Sequence, residues 1–258
     1  ARQLTRAGAG PVTALESAGS RANLAAVNAD PAALGLAILS AADTSRTPNV
    51  RALLPIFRTC YHFAAASGLR IESFGDLNAR RVGVGPEGGP DAALFAETAR
   101  GALIFPVAVH DAPEALAEDI VDGRIDALWL GAPVPIPLFR DLAQAGEAAI
   151  RGVGAWEIAR ATSANPRLSP AILPAGLYPG QTGTLAVLAA WNVLVAHQDL
   201  PDSRATAILR AVFGGGDPAR DIHPVAVETR AANAPQNRVI PFHPAALRFY
   251  REMGIAVR

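Results

Sequence analysis

Apolar and polar positions alternate on two scales along this chain. Short apolar runs of strand length are separated by amphipathic or polar stretches of helix and loop length. Residues 34–39, 50–57, 60–66, 81–84, 107–109, 125–130 and 149–152 read as strands, as does the stretch 11–17 near the start. The longest apolar run, 185–196, is interrupted by Asn192 and reads as a buried strand followed by a turn. Helical patterns cover 21–28, 91–100, 113–122, 137–145, 203–213 and 244–253, and 73–77 reads as a short helical turn. Pro113 opens one of these helices and Gly123 closes it, and Gly254 ends the last. Strands alternating with helices predict an α/β architecture with largely parallel sheets. Residues 22–39 and 114–130 echo each other as helix, Asp/Gly break, buried strand and small-residue loop.

One stretch concentrates candidate chemistry: Arg81-Val82-Gly83-Val84-Gly85-Pro86-Glu87-Gly88-Gly89-Pro90-Asp91. A β-branched strand runs into a glycine-rich turn and then a helix. Gly89 suits the N-cap, Pro90 the first helical position, and Asp91 complements the positive helix end. Backbone N–H groups there lack intrahelical partners, so they suit an anion or a polar ligand head. Gly83-x-Gly85-x-x-Gly88 also satisfies the dinucleotide spacing, with Asp111 about where a ribose-binding carboxylate belongs. An NAD-type nucleotide-dependent enzyme is therefore the alternative reading. Against it, Gly83 lies inside the strand, and Pro86 and Pro90 each remove an N–H from the cradle.

Composition narrows the classes. The chain has 258 residues, half of them hydrophobic, with 23 basic and 23 acidic side chains. That suffices for one large or two small domains, and the balanced charge gives no support for nucleic-acid binding. No apolar run reaches the ~18 residues that span a bilayer. Cys60 is the only cysteine, so no intramolecular disulfide forms. The five histidines, at 62, 110, 197, 223 and 243, lack metal-ligand spacing, and no G-x-S-x-G occurs. Cys60 and His62 share one face of a strand, a nucleophile–base pairing in principle, for which a buried thiol is the simpler account. No catalytic residue, metal or cofactor is expected. The start, Ala1-Arg2-Gln3-Leu4, has neither Met nor a signal segment, and a signal or anchor upstream is expected.

Four stretches, in order along nearly the whole chain, resemble the TAXI solute receptors of tripartite (TRAP) transporters. Ser17-Ala18-Gly19-Ser20-Arg21-Ala22-Asn23 is similar to the family's Ser-Thr-Gly-Gly-Ser-x-x-Asn segment. Residues 81–89 are similar to the strand and Gly-rich loop that open its second lobe. Pro174-Ala175-Gly176-Leu177-Tyr178-Pro179-Gly180-Gln181 matches Pro-x-Gly-x-Tyr-Pro-Gly-Gln, the most specific of the four. Residues 240–254 match its C-terminal helix segment. Three departures stand out. The family's first strand and Gly-Gly-Thr-Tyr-type loop precede the residues matched here. Its Gly-Ser-Gly-Thr reads Gly88-Gly89-Pro90-Asp91, and its Tyr-Pro-Glu reads Phe57-Arg58-Thr59.

The resemblance implies a two-lobed periplasmic binding protein, α/β with parallel or mixed sheets and hinge crossovers. Lobe one takes residues 1–79 and 185–258, and lobe two takes 80–184. It implies a periplasmic, non-enzymatic receptor that holds a small polar organic solute, of the class that includes carboxylates and amino acids, between its lobes. The partner it implies is a TRAP-type membrane permease; an effector-binding sensor module is a further alternative. Ligand contacts are expected from Gly19, Ser20, Asn23, Ser40, Phe57, Glu87, Gly88, Gly89, Asp91, Trp129 and Tyr178. Family ligands are small acids. Glu87 and Asp91 fit an anion poorly, because unpaired like charges are costly, unless Arg58 compensates.

Overall fold

The computed structural model describes Thr5 and residues 10–257. In chain order the elements are α1 (Ser20–Ala29), β1 (Leu34–Ile38), β2 (Val50–Ala66), β3 (Arg81–Gly83), α2 (Pro90–Ala102) and β4 (Val107–Val109). Next come α3 (Pro113–Val121), β5 (Ala127–Ala132), α4 (Pro137–Ala145), β6 (Ala148–Arg151), α5 (Ala155–Ala164) and β7 (Ser169–Leu173). The chain closes with β8 (Leu185–His197), α6 (Asp202–Phe213), α7 (Pro218–Asp221) and α8 (Pro244–Glu252), with 3-10 turns between several of these. Two compact units result: Ala1–Arg58 with Ala190–Arg258, and Thr59–Ala189. The chain passes from one to the other twice, once within β2 and once within β8. The expected α/β class with two crossovers is the observed one.

In the first unit, β1 pairs antiparallel with β8, from Leu34 opposite Ala196 to Ile38 opposite Asn192. The core gathers Leu24 and Val27 from α1, Leu53 and Leu54 from β2, Val193 and Val195 from β8, Ile208 and Leu209 from α6, and Tyr250 from α8. The helices bring one apolar stripe each, so their spacing of three and four residues decides which face is buried. His243 caps α8 by accepting from the Ala245 N–H, while its Nε2 lies 3.0 Å from the Leu200 carbonyl.

In the second unit, β3 pairs in parallel with both β4 and β5, so the carboxyl ends of all three strands point the same way. β5 and β6 run antiparallel to β2, and β7 antiparallel to β8. An aromatic cluster of Tyr61, Phe63, Phe74, Phe95 and Trp129 fills one part of this unit. A second core collects Leu116, Ile120, Leu128, Phe139, Ile150 and Val187. α2 begins at the Gly89 cap with Pro90 first, and stops at Leu103, which takes the left-handed conformation (φ 57°). α4 ends on Gly146 in the same way.

Four expectations change. The stretch 11–17 forms no strand: its backbone is largely exposed and no β-pairing involves it. Residues 50–57 and 60–66 are one strand of 17 residues, because the polar pair Arg58-Thr59 is absorbed rather than turned out. The sheet is mixed: β3 pairs in parallel with β4 and β5, whereas β1 and β7 pair antiparallel with β8, and β5 and β6 with β2. The run 185–196 does not turn at Asn192: β8 continues through it to His197, with Asn192 paired to Ile38, while α5 and β7 occupy 155–164 and 169–173, where the pattern named no element. The echo between 22–39 and 114–130 is real at the level of elements, as α1 with β1 and α3 with β5.

Candidate functional site

In the first unit, Gly19 precedes α1 at φ 99°, a conformation that side chains rarely adopt. Ser20 opens the helix but does not cap it; its Oγ accepts the Ile38 N–H at 3.0 Å. Asn23 donates from Nδ2 to the Leu36 carbonyl at 2.7 Å. Both side chains therefore dock α1 on β1, one at its middle and one at its carboxyl end. Ser40 follows in a 3-10 turn, and its Oγ is buried with no hydrogen-bond partner. Phe57 is half-buried in β2, with its carbonyl accepting from Asn192 Nδ2 at 3.4 Å. Arg58 is engaged by Glu228: its Nε donates to Oε1 at 2.9 Å, its Nη2 to the same oxygen, and its N–H to Oε2 at 3.1 Å. The guanidinium also lies over the Trp191 ring at 5.7 Å. The Arg58 charge is thus matched by a carboxylate of its own unit. A cavity of about 660 Å³ in this unit, lined by Pro235, Arg238, Val239, Pro241 and Ala256 among others, includes none of the expected residues.

In the second unit the carboxyl ends of β3, β4 and β5 bring three loops together. Gly85 (φ 82°) and Gly88 (φ 71°) give the first loop its tight course. The Gly89 N–H bonds the Pro86 carbonyl at 2.9 Å, and a Cβ on Gly89 would sit 2.8 Å from that same oxygen. Gly89 is therefore required by shape. Glu87 projects into solvent. His110, just past β4, approaches the Gly85 carbonyl with Nδ1 at 3.2 Å and ties the first two loops. Asp91 ties α2 to β5: its Oδ2 accepts the Gly131 N–H at 3.1 Å. Burial holds the Asp91 carboxyl above its ordinary value, and the Gly131 N–H offsets part of that. Gly83 does not face this loop cluster. A Cβ there would meet Ile125 Cδ1 at 2.9 Å and Leu116 Cδ2 at 3.1 Å, so its smallness serves strand–helix packing.

Trp129 and Tyr178 are both buried. Trp129 stacks on Tyr61 with centroids 6.0 Å apart and touches Phe74 and Phe95, while its Nε1 has no hydrogen-bond partner. Tyr178 lies elsewhere in the unit. Its hydroxyl accepts the Ile136 N–H at 2.9 Å and lies 2.9 Å from His62 Nε2. Burial pushes His62 down to about 4, so the ring is neutral at pH 7, and burial raises Tyr178 to about 12. The expected contacts thus fall into an α1–β1 group, a loop group around Asp91, and Tyr178 in a buried network of its own. Sequence reasoning missed Gly131, Tyr61 and His110 as members of the loop group. The signal for Gly131 was a small residue ending an apolar strand; Tyr61 read only as strand.

Among the described residues no cluster of metal-ligating side chains occurs and no helix is long and apolar enough to cross a membrane. Among solved structures, a protein from R. palustris solved with adipate is 17% identical, over 98% of this chain and 85% of that chain, with a TM-score of 0.50. A periplasmic transporter protein matches over 98% and 85% at 16% identity and a TM-score of 0.48. The GluR0 ligand-binding core from Nostoc punctiforme, in complex with L-glutamate, matches over 81% and 79% at 18% identity and a TM-score of 0.47. The first of these shares this chain's fold. A family model described as NMT1-like matches residues 2–254, and by that near-complete match the chain belongs to the NMT1-like family.

Proposed function

We propose that this chain is an extracytoplasmic solute receptor that captures a small polar organic molecule and releases it unchanged to a membrane permease. The observation that carries the reading is the loop group at the carboxyl ends of three parallel strands, the place where open α/β sheets bind ligands. The Gly85–Gly89 turn, His110 and the Asp91–Gly131 contact meet there. Support also comes from a fold shared over 98% of this chain with a protein solved with adipate. The residues 174–181 and 240–254 that resemble TAXI receptors favour a TRAP-type permease as the partner and the periplasm as the place of work. Holding a solute needs no reacting group, only a closed polar surface with higher affinity in one conformation than in another.

Native mass spectrometry of gently purified protein tests this. The expected result is a co-purified solute of a few hundred daltons or less, released intact on denaturation. Recovery of a chemically altered product after incubation with that solute, or of a bound nucleotide, would overturn the reading.

A further inference from the structure

Asp91 is unusual among the carboxylates of this chain. One oxygen occupies the Gly131 N–H at the end of β5, and no cation faces the other: Oδ1 has no hydrogen-bond or ion-pair partner among the described residues. By contrast Asp126 is held by Arg81, Asp119 by Arg124 and Glu228 by Arg58. A partly buried carboxylate without a cation is costly, and neighbours normally supply one. Here the nearest charge in sequence is Glu87, of the same sign, and His110 points Nδ1 at the Gly85 carbonyl. The fold nevertheless holds Asp91 in place. The Tyr61 ring lies against Gly131 so closely that a Cβ would be 2.1 Å from it, which fixes the amide that Asp91 accepts from. One helical turn further along α2, Phe95 packs on Trp129, whose buried Nε1 is itself without a partner. The second oxygen of Asp91 is therefore left to solvent or to a solute, with no group among the described residues to answer its charge.

Resting on the reading of this chain as a solute receptor, we infer that Asp91 determines its solute class. The side chain stands in the cluster as a built-in carboxylate on the Gly131 N–H, so the loops refuse the anionic end of a solute and accept a protonated amine. A solute carboxylate would have to displace Asp91 from Gly131 and lie beside its charge. An ammonium would bond Oδ1 and supply the missing cation.

Matched pairs of linear solutes separate the two ends: α,ω-dicarboxylates and the ω-amino acids of equal length, from four to eight carbons, titrated by calorimetry into the purified full chain. One pair is adipate and 6-aminohexanoate. The wild-type protein is expected to prefer the amino member of the pair it binds best by at least about tenfold. Asp91→Asn keeps an acceptor for Gly131 but removes the charge, and Asp91→Ser shortens it. Both variants should lose that preference while keeping the far-ultraviolet circular dichroism of the parent. Equal or tighter binding of the dicarboxylate by wild type would overturn the assignment and leave the receptor reading intact, since a solute is bound. An unchanged preference in both variants would overturn it too. So would failure of every pair, after which the co-purification experiment, which depends on no chosen probe, decides the receptor reading by itself.

Discussion

At Gly131 the lack of a side chain is a packing requirement. A methyl group there would lie 2.1 Å from Tyr61 Cε1, and the ring it displaces stacks on Trp129. Gly131→Ala should therefore destabilise the fold by about 1–3 kcal/mol, read as a lower urea midpoint at unchanged slope. His62 sets a pH dependence. Its folded value, about 4, lies below the unfolded value of 6.5 because burial disfavours the imidazolium. Above pH 6.5 both states are neutral there and the contribution is intact. As pH falls towards 4 the unfolded chain takes up a proton that the folded one refuses, and stability drops by up to about 1.4 kcal/mol per unit, about 3 kcal/mol in all. Urea midpoints between pH 7 and 4 should fall more steeply for wild type than for His62→Gln; equal slopes would show that His62 is not the group responsible. The glycine turn and its Asp91 were legible in sequence because turn, cap and helix start are local. The contacts that give them meaning were not: Asp91 meets Gly131 40 residues on, and His62 meets Tyr178 116 residues on.

Element boundaries followed the same rule. Helices with a proline at their start and a glycine near their end were readable to the residue at 137–145 and to within one residue at 113–122 and 244–253, because those signals are intrinsic to the backbone. β2 was split in two because Arg58 and Thr59 break its apolar run, and only the folded partners explain their place within it. Glu228 clasps Arg58 through both its side chain and its N–H, and Thr229 donates to the Ile56 carbonyl at 2.7 Å. These bonds also anchor the short 3-10 segments Pro224–Glu228 and Ala231–Gln236 to the strand. Glu228→Ala leaves the half-buried guanidinium without its carboxylate, at about 1–3 kcal/mol for charged hydrogen bonds lost. Limited proteolysis should then cut first between Gly214 and Gln236, sooner than in the parent protein. Unchanged cleavage there would mean that packing alone holds the segment. The stretch 11–17 misled for the opposite reason: its β-propensity has no partner strand to act on.

For the molecule as a whole, a receptor and a nucleotide enzyme differ in what stabilises them. A ligand that binds only the folded chain adds RT ln(1 + [L]/Kd), about 2.7 kcal/mol at a hundredfold excess over Kd. In a thermal scan the co-purified solute should therefore raise Tm progressively with concentration and without turnover. NADH at millimolar concentration should leave Tm unchanged. The reason lies in the glycine fingerprint itself. The first glycine of that spacing, Gly83, is enclosed by Ile125 and Leu116, and the Gly89 N–H is taken by Pro86. Pro86 and Pro90 contribute no N–H, and the Asp91 carboxylate adds negative charge where a pyrophosphate would have to lie. A loop so arranged repels a dianion. An NADH-dependent rise in Tm would contradict that, and would return the chain to the enzymes that its glycine spacing superficially matches.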